Sequence, residues 1–282
     1  MSLTQSSQIR ILVVDDSAFM RKAITMMLES DPQIKVVGTA RDGAEGVEKV
    51  QLLKPDLVTM DIEMPRMDGL TALREIMQKH PVPVMMISSI TTEGAKATLD
   101  ALEMGAVDFI PKQMSYVSLD IVKIREELLG KIKDIVRRKH LLMTRYRQRQ
   151  FAGISRPAVK AGKITTPQPV AVPTPVIRKR NHAVSIIAIG SSTGGPPALQ
   201  NLISKLPRNL PVGIVIAQHM PPTFTKSLAE RLDGLSQLQV TEAVNGEPIE
   251  PGKVLIAPGG KHLTIKKSGG RPQAVVSAHP EN

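Results

Sequence analysis

Two sets of residues in this chain have the types and spacing that chemistry needs. The first is Gly190-Ser191-Ser192-Thr193-Gly194, with Ile187-Ala188-Ile189 before it and Gly195-Pro196-Pro197 after it. An apolar run entering G-x-S-x-G delivers a strand into a tight turn: the glycines permit the bend, the serine hydroxyl is presented and nearby backbone N–H groups face an oxyanion. Proline in the first turn suits the helix that follows. Serine is a weak nucleophile near neutral pH without a base, and His219 follows the next apolar run, in Gln218-His219-Met220-Pro221. Neighbouring parallel strands lie about 4.8 Å apart, so Ser192 and His219 meet if those two runs pair. The chemistry would be nucleophilic acyl transfer. A Gly-rich turn can instead hold phosphate, but no Gly-Lys-Ser/Thr follows, which disfavours a Walker-type loop.

The second set is Asp15, Asp16, Asp61, Ser88 and Lys112, each at or just beyond the end of an apolar run. In an open parallel sheet such positions gather at the carboxyl edge, where these folds bind ligands. Three carboxylates brought together repel one another unless a cation is present, and carboxylate and water oxygens are the ligands Mg²⁺ prefers. A carboxylate can also accept a phosphoryl group while metal, lysine and hydroxyl stabilise the transferring charge. One Asp alone reads as a solvated turn residue or helix cap. Five such positions at successive strand ends outweigh that reading.

Both sets presuppose a framework. From Ile11 to Ile110, short apolar runs alternate with helical stripes, the pattern of repeated βα units around a parallel sheet. Strands are predicted at 11–14, 34–40, 57–60, 84–87 and 107–110; Met20, Ala23, Ile24, Met27 and Leu28 form a helical stripe that Ser17 is placed to cap. A last helix begins near Ser118 and runs to Arg138, after which Pro157, Pro167, Pro169, Pro173 and Pro175 interrupt any regular pattern. Alternation resumes at Val184. Strands are predicted at 185–189, 212–217, 240–244, 254–257, 262–266 and 273–277, with helices at 197–206 and around Phe224, Leu228 and Leu232. The division is residues 1–130, a linker over 131–183, and residues 184–282.

Composition narrows the function further. A length of 282 residues favours two domains over one. The absence of cysteine excludes disulfide scaffolds, thiolate zinc sites, iron–sulfur clusters and cysteine nucleophiles. With no basic leader and no long apolar run, a soluble cytoplasmic protein without membrane insertion is expected. Aromatics are 2% with no Trp, so the cores must be aliphatic and Met-filled, and stacking platforms for single strands are missing. Of the net charge of +11, residues 131–182 hold 14 Lys and Arg against one acid, leaving 23 basic and 25 acidic residues elsewhere. The basic character therefore belongs to the connector, and nucleic acid is not an expected partner. His182, His262 and His279 have no comparable context and read as surface residues.

Val13-Val14-Asp15-Asp16-Ser17, Asp61-Ile62-Glu63-Met64-Pro65 and Met67-Asp68-Gly69 resemble the receiver domain of bacterial response regulators, over residues 9–130. That resemblance implies a flavodoxin-like five-stranded parallel sheet with Asp61 as phosphoacceptor, Asp15 and Asp16 joining Asp61 as Mg²⁺ carboxylates, Ser88 as switch hydroxyl, Lys112 as phosphate partner and Phe109 as the rotating aromatic. Where that family has Lys-Pro after strand five, this chain has Pro111-Lys112-Gln113, so the family's cis bond lacks its usual sequence.

Joined to such a receiver, Gly190-Ser191-Ser192-Thr193-Gly194-Gly195, Gln218-His219-Met220-Pro221 and Ala257-Pro258-Gly259-Gly260 resemble the chemotaxis response-regulator protein-glutamate methylesterases. The resemblance implies an α/β chain whose second part is a doubly wound esterase domain, incomplete here. It implies hydrolysis of glutamate methyl esters, and deamidation of glutamines, on methyl-accepting chemoreceptors, with Ser192 attacking and His219 carrying the proton, under control of a chemotaxis histidine kinase. The receiver would cover the esterase face until Asp61 is phosphorylated. No cofactor is expected at the esterase site. The family's third triad member, an Asp in a glycine-rich segment, has no match up to Asn282; Asp233, on the second helix, is not promoted to that role. Weak or no hydrolysis is the resulting expectation for this chain alone, since loss of the orienting carboxylate costs about 10⁴ in rate in a serine protease. Two other readings compete. One is a non-catalytic receiver module that binds the kinase and accepts phosphoryl groups. The other is a DNA-binding regulator, which βα alternation and a glycine turn disfavour against a helix-turn-helix.

Overall fold

The structure is a computed structural model, and it describes residues 8–112, 119–139, 143–144 and 185–278. Most of the connector reading, His182 and His279 fall outside these residues.

The first unit alternates β1 (Ile9–Val14), α1 (Ala18–Glu29), β2 (Ile34–Ala40), α2 (Gly43–Leu53), β3 (Leu57–Asp61), α3 (Gly69–Lys79), β4 (Val84–Ser88), α4 (Thr92–Met104), β5 (Asp108–Pro111) and α5 (Leu119–Arg137). Its parallel sheet has the order β2-β1-β3-β4-β5. Strands β3 and β4 are buried at every position, as central strands covered on both faces must be. Alternate side chains supply the two faces. Leu12, Val14, Val58, Met60, Val84 and Met86 pack under α2, α3 and α4; Ile11, Val13, Leu57, Met85 and Ile87 pack under α1 and α5. Ser17, Asp42, Asp68 and Thr91 cap α1 to α4 by accepting from N–H groups of the first turn. Helix α5 carries Ile132 and Ile135 into this core, so packing takes the first unit beyond the residue 130 division drawn from charge. All described peptide bonds are trans, that before Pro111 included.

The second unit runs β6 (Ile186–Ser191), α6 (Gly195–Ile203), β7 (Gly213–Gln218), α7 (Pro222–Leu235), β8 (Gln239–Glu242), β9 (Lys253–Ile256), β10 (His262–Ser268) and β11 (Arg271–Ser277). Strands β6-β7-β9-β8 form a parallel sheet; β10 and β11 form an antiparallel hairpin. Among the described residues both helices cover one face, through Leu199, Ile203, Phe224, Leu228 and Leu232. The hairpin covers the other, where Ala274 joins Val215, Leu255 and Ile249.

The two units share one continuous apolar cluster. Phe109 of β5 stacks on Phe224 of α7, centroids 4.6 Å apart and planes 20° from parallel, a favourable offset arrangement for aromatic pairs. Arg231 of α7 pairs with Asp100 at 2.6 Å and with Glu103, both on α4.

Candidate functional site

At the carboxyl edge of the first sheet, β1 and β3 are adjacent, so the residues at their ends converge. Asp15, Asp16 and Asp61 bring ligand oxygens within 4.8 Å of one another. Asp15 and Asp61 are buried, while Asp16 is exposed. Lys112 Nζ donates to Asp61 Oδ2 at 2.6 Å and lies 3.2 Å from Asp15 Oδ2. Burial pushes the Asp61 carboxyl up to about 6, against the pull of the Lys112 hydrogen bond and charge; nearby Asp15 adds to the rise. Burial opposes the Lys112 ammonium, but its bonds to Asp61 and Asp15 outweigh that and hold it above the ordinary lysine value. Asp15 Oδ1 accepts from Ser17 N at 2.9 Å, whereas Asp15 Oδ2 is buried with only the Lys112 ammonium, 3.2 Å away, against it. A buried carboxylate oxygen left this way, beside two further carboxylates, fits a hard divalent cation such as Mg²⁺.

Ser88, at the end of β4, is buried, with its hydroxyl 3.1 Å from Gly94 O and 3.2 Å from Ser89 O. It is thus engaged with the α4 turn. Gly69 is needed where α3 meets β3: a Cβ there would lie 1.9 Å from Asp61 O. Arg21 Nη1 donates to Asp15 O at 2.8 Å and Asp16 O at 2.9 Å, tying the acidic turn to α1.

At the second sheet edge, Ser191 and Gln218 are register partners at the ends of β6 and β7. The next residues, Ser192 and His219, are therefore side by side, and Ser192 Oγ lies 3.5 Å from His219 Nδ1. Both are exposed. The turn closes through Gly194 at φ +73, a left-handed conformation that favours glycine, and Gly195 N donates to Ser192 O at 2.7 Å. The Ala257–Gly260 loop abuts the histidine loop, since a Cβ on Gly259 would lie 2.4 Å from Met220 O. Among the described residues no carboxylate pairs with His219. Asp233 instead accepts from Val240 N at 2.8 Å, a structural role at the start of β8.

Several participants escaped sequence reasoning. Thr193 Oγ1, next to Ser192, donates at 2.5 Å to Asp108 Oδ2 of the first unit. The other Asp108 oxygen accepts from Phe109 N at 2.8 Å and Lys131 Nζ at 3.3 Å. Phe109, expected as the rotating aromatic, is buried and stacked on Phe224, a partner that the sequence did not show. Gln218 binds the Ser191–Ser192 turn directly. Its place beside His219 was visible, but the partners of all these groups lie on other elements and leave no local signal.

Residues 11–121 match the response regulator receiver domain model and residues 187–281 the CheB methylesterase model. The chain is 54% identical to a protein-glutamate methylesterase/protein-glutamine glutaminase of Oleidesulfovibrio alaskensis, over 96% of this chain and 75% of that protein. It is 45% identical to one of Pyrococcus abyssi, over 97% of this chain and 70% of the relative. Among solved structures it is similar to the response regulator domain of Thermotoga maritima CheB (52% identity, TM-score 0.43, 46% of this chain and 97% of that one). It is also similar to the CheB methylesterase catalytic domain of that organism (49% identity, TM-score 0.34, 36% of this chain and 53% of that one). Among the described residues, no helix is long and apolar enough to cross a membrane.

Proposed function

The chain belongs to the CheB methylesterase family, with a response-regulator receiver ahead of the esterase unit, and from this premise we propose how its residues carry out and control ester hydrolysis. It is a phosphorylation-controlled protein-glutamate methylesterase and protein-glutamine glutaminase. Its substrates are methylated glutamates and certain glutamines of methyl-accepting chemoreceptors, encountered in the cytoplasm.

The observation that carries this reading is the 3.5 Å approach of Ser192 Oγ to His219 Nδ1 at paired strand ends. Ser192 Oγ attacks the ester carbonyl carbon as His219 takes its proton. Backbone N–H groups at the tight turn stabilise the tetrahedral oxyanion. The C–O bond to the methoxy group then breaks, His219 returns the proton, and methanol leaves an acyl-serine. Water, deprotonated by His219, releases the glutamate. With a glutamine side chain the same steps release ammonia.

Control begins at the acidic edge, in a receiver unit proposed to end near residue 137, ahead of a basic spacer. Asp61 accepts the phosphoryl group from a histidine kinase: the P–N bond to the kinase histidine breaks and a P–O bond to the carboxylate forms. Lys112 and Ser88 meet the transferred oxygens. Asp15, Asp16 and Asp61 are the residues that would hold Mg²⁺, which supplies positive charge to the phosphoryl oxygens. Strand β5 links the edges, because Lys112 follows it while Asp108 holds Thr193 and Phe109 stacks on Phe224. In the unphosphorylated protein these contacts clamp the nucleophile turn and keep the receptor helix away; phosphorylation weakens them.

The non-catalytic receiver reading is disfavoured by the Ser192–His219 pair and by relatives named for the hydrolase. Methanol release from methylated receptor, with and without a small acyl-phosphate donor, tests the function. Ser192→Ala should lower it about a thousandfold or more, and Asp61→Asn should remove its response to the donor. Donor-stimulated release that survives Ser192→Ala would refute the assignment.

A further inference from the structure

The residue before His219 is buried, polar and unused by the steps above. Gln218 is 7% exposed, and its side chain turns toward β6. Its Oε1 accepts from Ser191 Oγ at 2.6 Å, and its Nε2 donates to Ser192 O at 3.0 Å and to His219 O at 3.4 Å. The two carbonyls can only accept, so they fix which end of the carboxamide is the NH₂. Ser192 O receives a second bond from Gly195 N at 2.7 Å, and His219 N donates to Ser191 O at 3.0 Å. One carboxamide thus bridges the main chain of the nucleophile and of its base.

The space for that carboxamide is supplied by a missing side chain. A Cβ on Gly195 would lie 2.0 Å from Gln218 Oε1 and 2.9 Å from its Cδ, so any other residue at 195 must displace the amide. Gly195 has no positive φ that would otherwise demand glycine. Its lack of a side chain is therefore explained by Gln218.

We propose that Gln218 is a positioning residue for the acyl transfer: its carboxamide bolts the Ser192 turn to the His219 strand end. It sets the distance between hydroxyl and imidazole and the tilt of the peptide planes whose N–H groups meet the oxyanion. The proposal rests on the Ser192–His219 reading. Without the bridge, the exposed turn keeps its fold but samples geometries in which Oγ and Nδ1 are too far apart for proton transfer. A misplacement near 1 Å costs about a hundredfold in rate.

The test follows phosphonylation of Ser192 by a fluorophosphonate probe on the full chain, which reports hydroxyl activation without needing the receptor. Gln218→Met keeps the bulk of the side chain and removes all three bonds. It should lower the maximal labelling rate about a hundredfold while leaving the half-saturating probe concentration and the unfolding midpoint near those of the parent. Gly195→Ala should do the same by displacing the amide. The double variant should be no slower than either single one, because the second change has nothing left to remove. Parent-like labelling by Gln218→Met, or effects of the two changes that multiply, would overturn the proposal and leave the esterase reading intact. Absence of any Ser192-dependent labelling in the parent would overturn both.

Discussion

Burial of Asp61 gives the receiver edge a sign that can be measured. Its folded value of about 6 lies above the ordinary aspartate value, so between the two the folded state holds more protons than the unfolded one. In metal-free buffer the Asp61 charge therefore costs nothing at low pH, costs more as pH rises through that interval, and costs most above about pH 6. Asp61→Asn should raise the unfolding midpoint at pH 7.5, with the gain shrinking toward pH 4; added Mg²⁺ should favour the parent over the variant. An unchanged difference across pH would contradict the burial argument. Gly69 is constrained differently, by contact, because the Asp61 carbonyl occupies the place of its missing Cβ. Gly69→Ala should cost about 1–3 kcal/mol in urea unfolding through overpacking and should slow phosphorylation of Asp61.

Strand β5 is the element that serves both chemistries. Four residues long, it ends against Lys112 at the acidic edge and begins at Asp108, which reaches the esterase turn. Asp108 is buried and held on its other oxygen by Phe109 N and Lys131, so its grip on Thr193 is directional. Asp108→Ala should raise methanol release in the absence of phosphodonor and narrow the ratio between phosphorylated and unphosphorylated rates. Equal basal rates in parent and variant would remove Asp108 from the control path. In the second unit the parallel pairing of β6 with β7 does the corresponding work, since one register fixes both Ser192 and His219. A slip of one residue would turn every side chain of β6 to the other face.

Across the whole molecule the units are joined by the aromatic stack and by the Arg231 pairs with Asp100 and Glu103. The two acids are substantially exposed, so salt should screen these pairs while leaving the stack intact. Basal hydrolysis by the parent should rise with ionic strength, and Arg231→Glu should show a high basal rate at low salt with little further response. A salt response identical in both proteins would assign the effect elsewhere.

The strand ends carrying Asp15, Asp61, Ser88 and Lys112 were readable in the chain because parallel sheets place the residue after each apolar run at one edge. Ser192 and His219 were readable for the same reason, once their runs were taken as neighbours. These are consequences of local pattern: period, glycine turns and the polar residue that follows a buried run. What the fold alone decided are the contacts between distant segments. Asp108 meets Thr193 across 85 positions of sequence separation, Arg231 meets Asp100 across 131, and Gln218 fills the space beside Gly195. A side chain's partner on another element depends on the packing of whole sheets and helices, and no periodicity in the sequence encodes it.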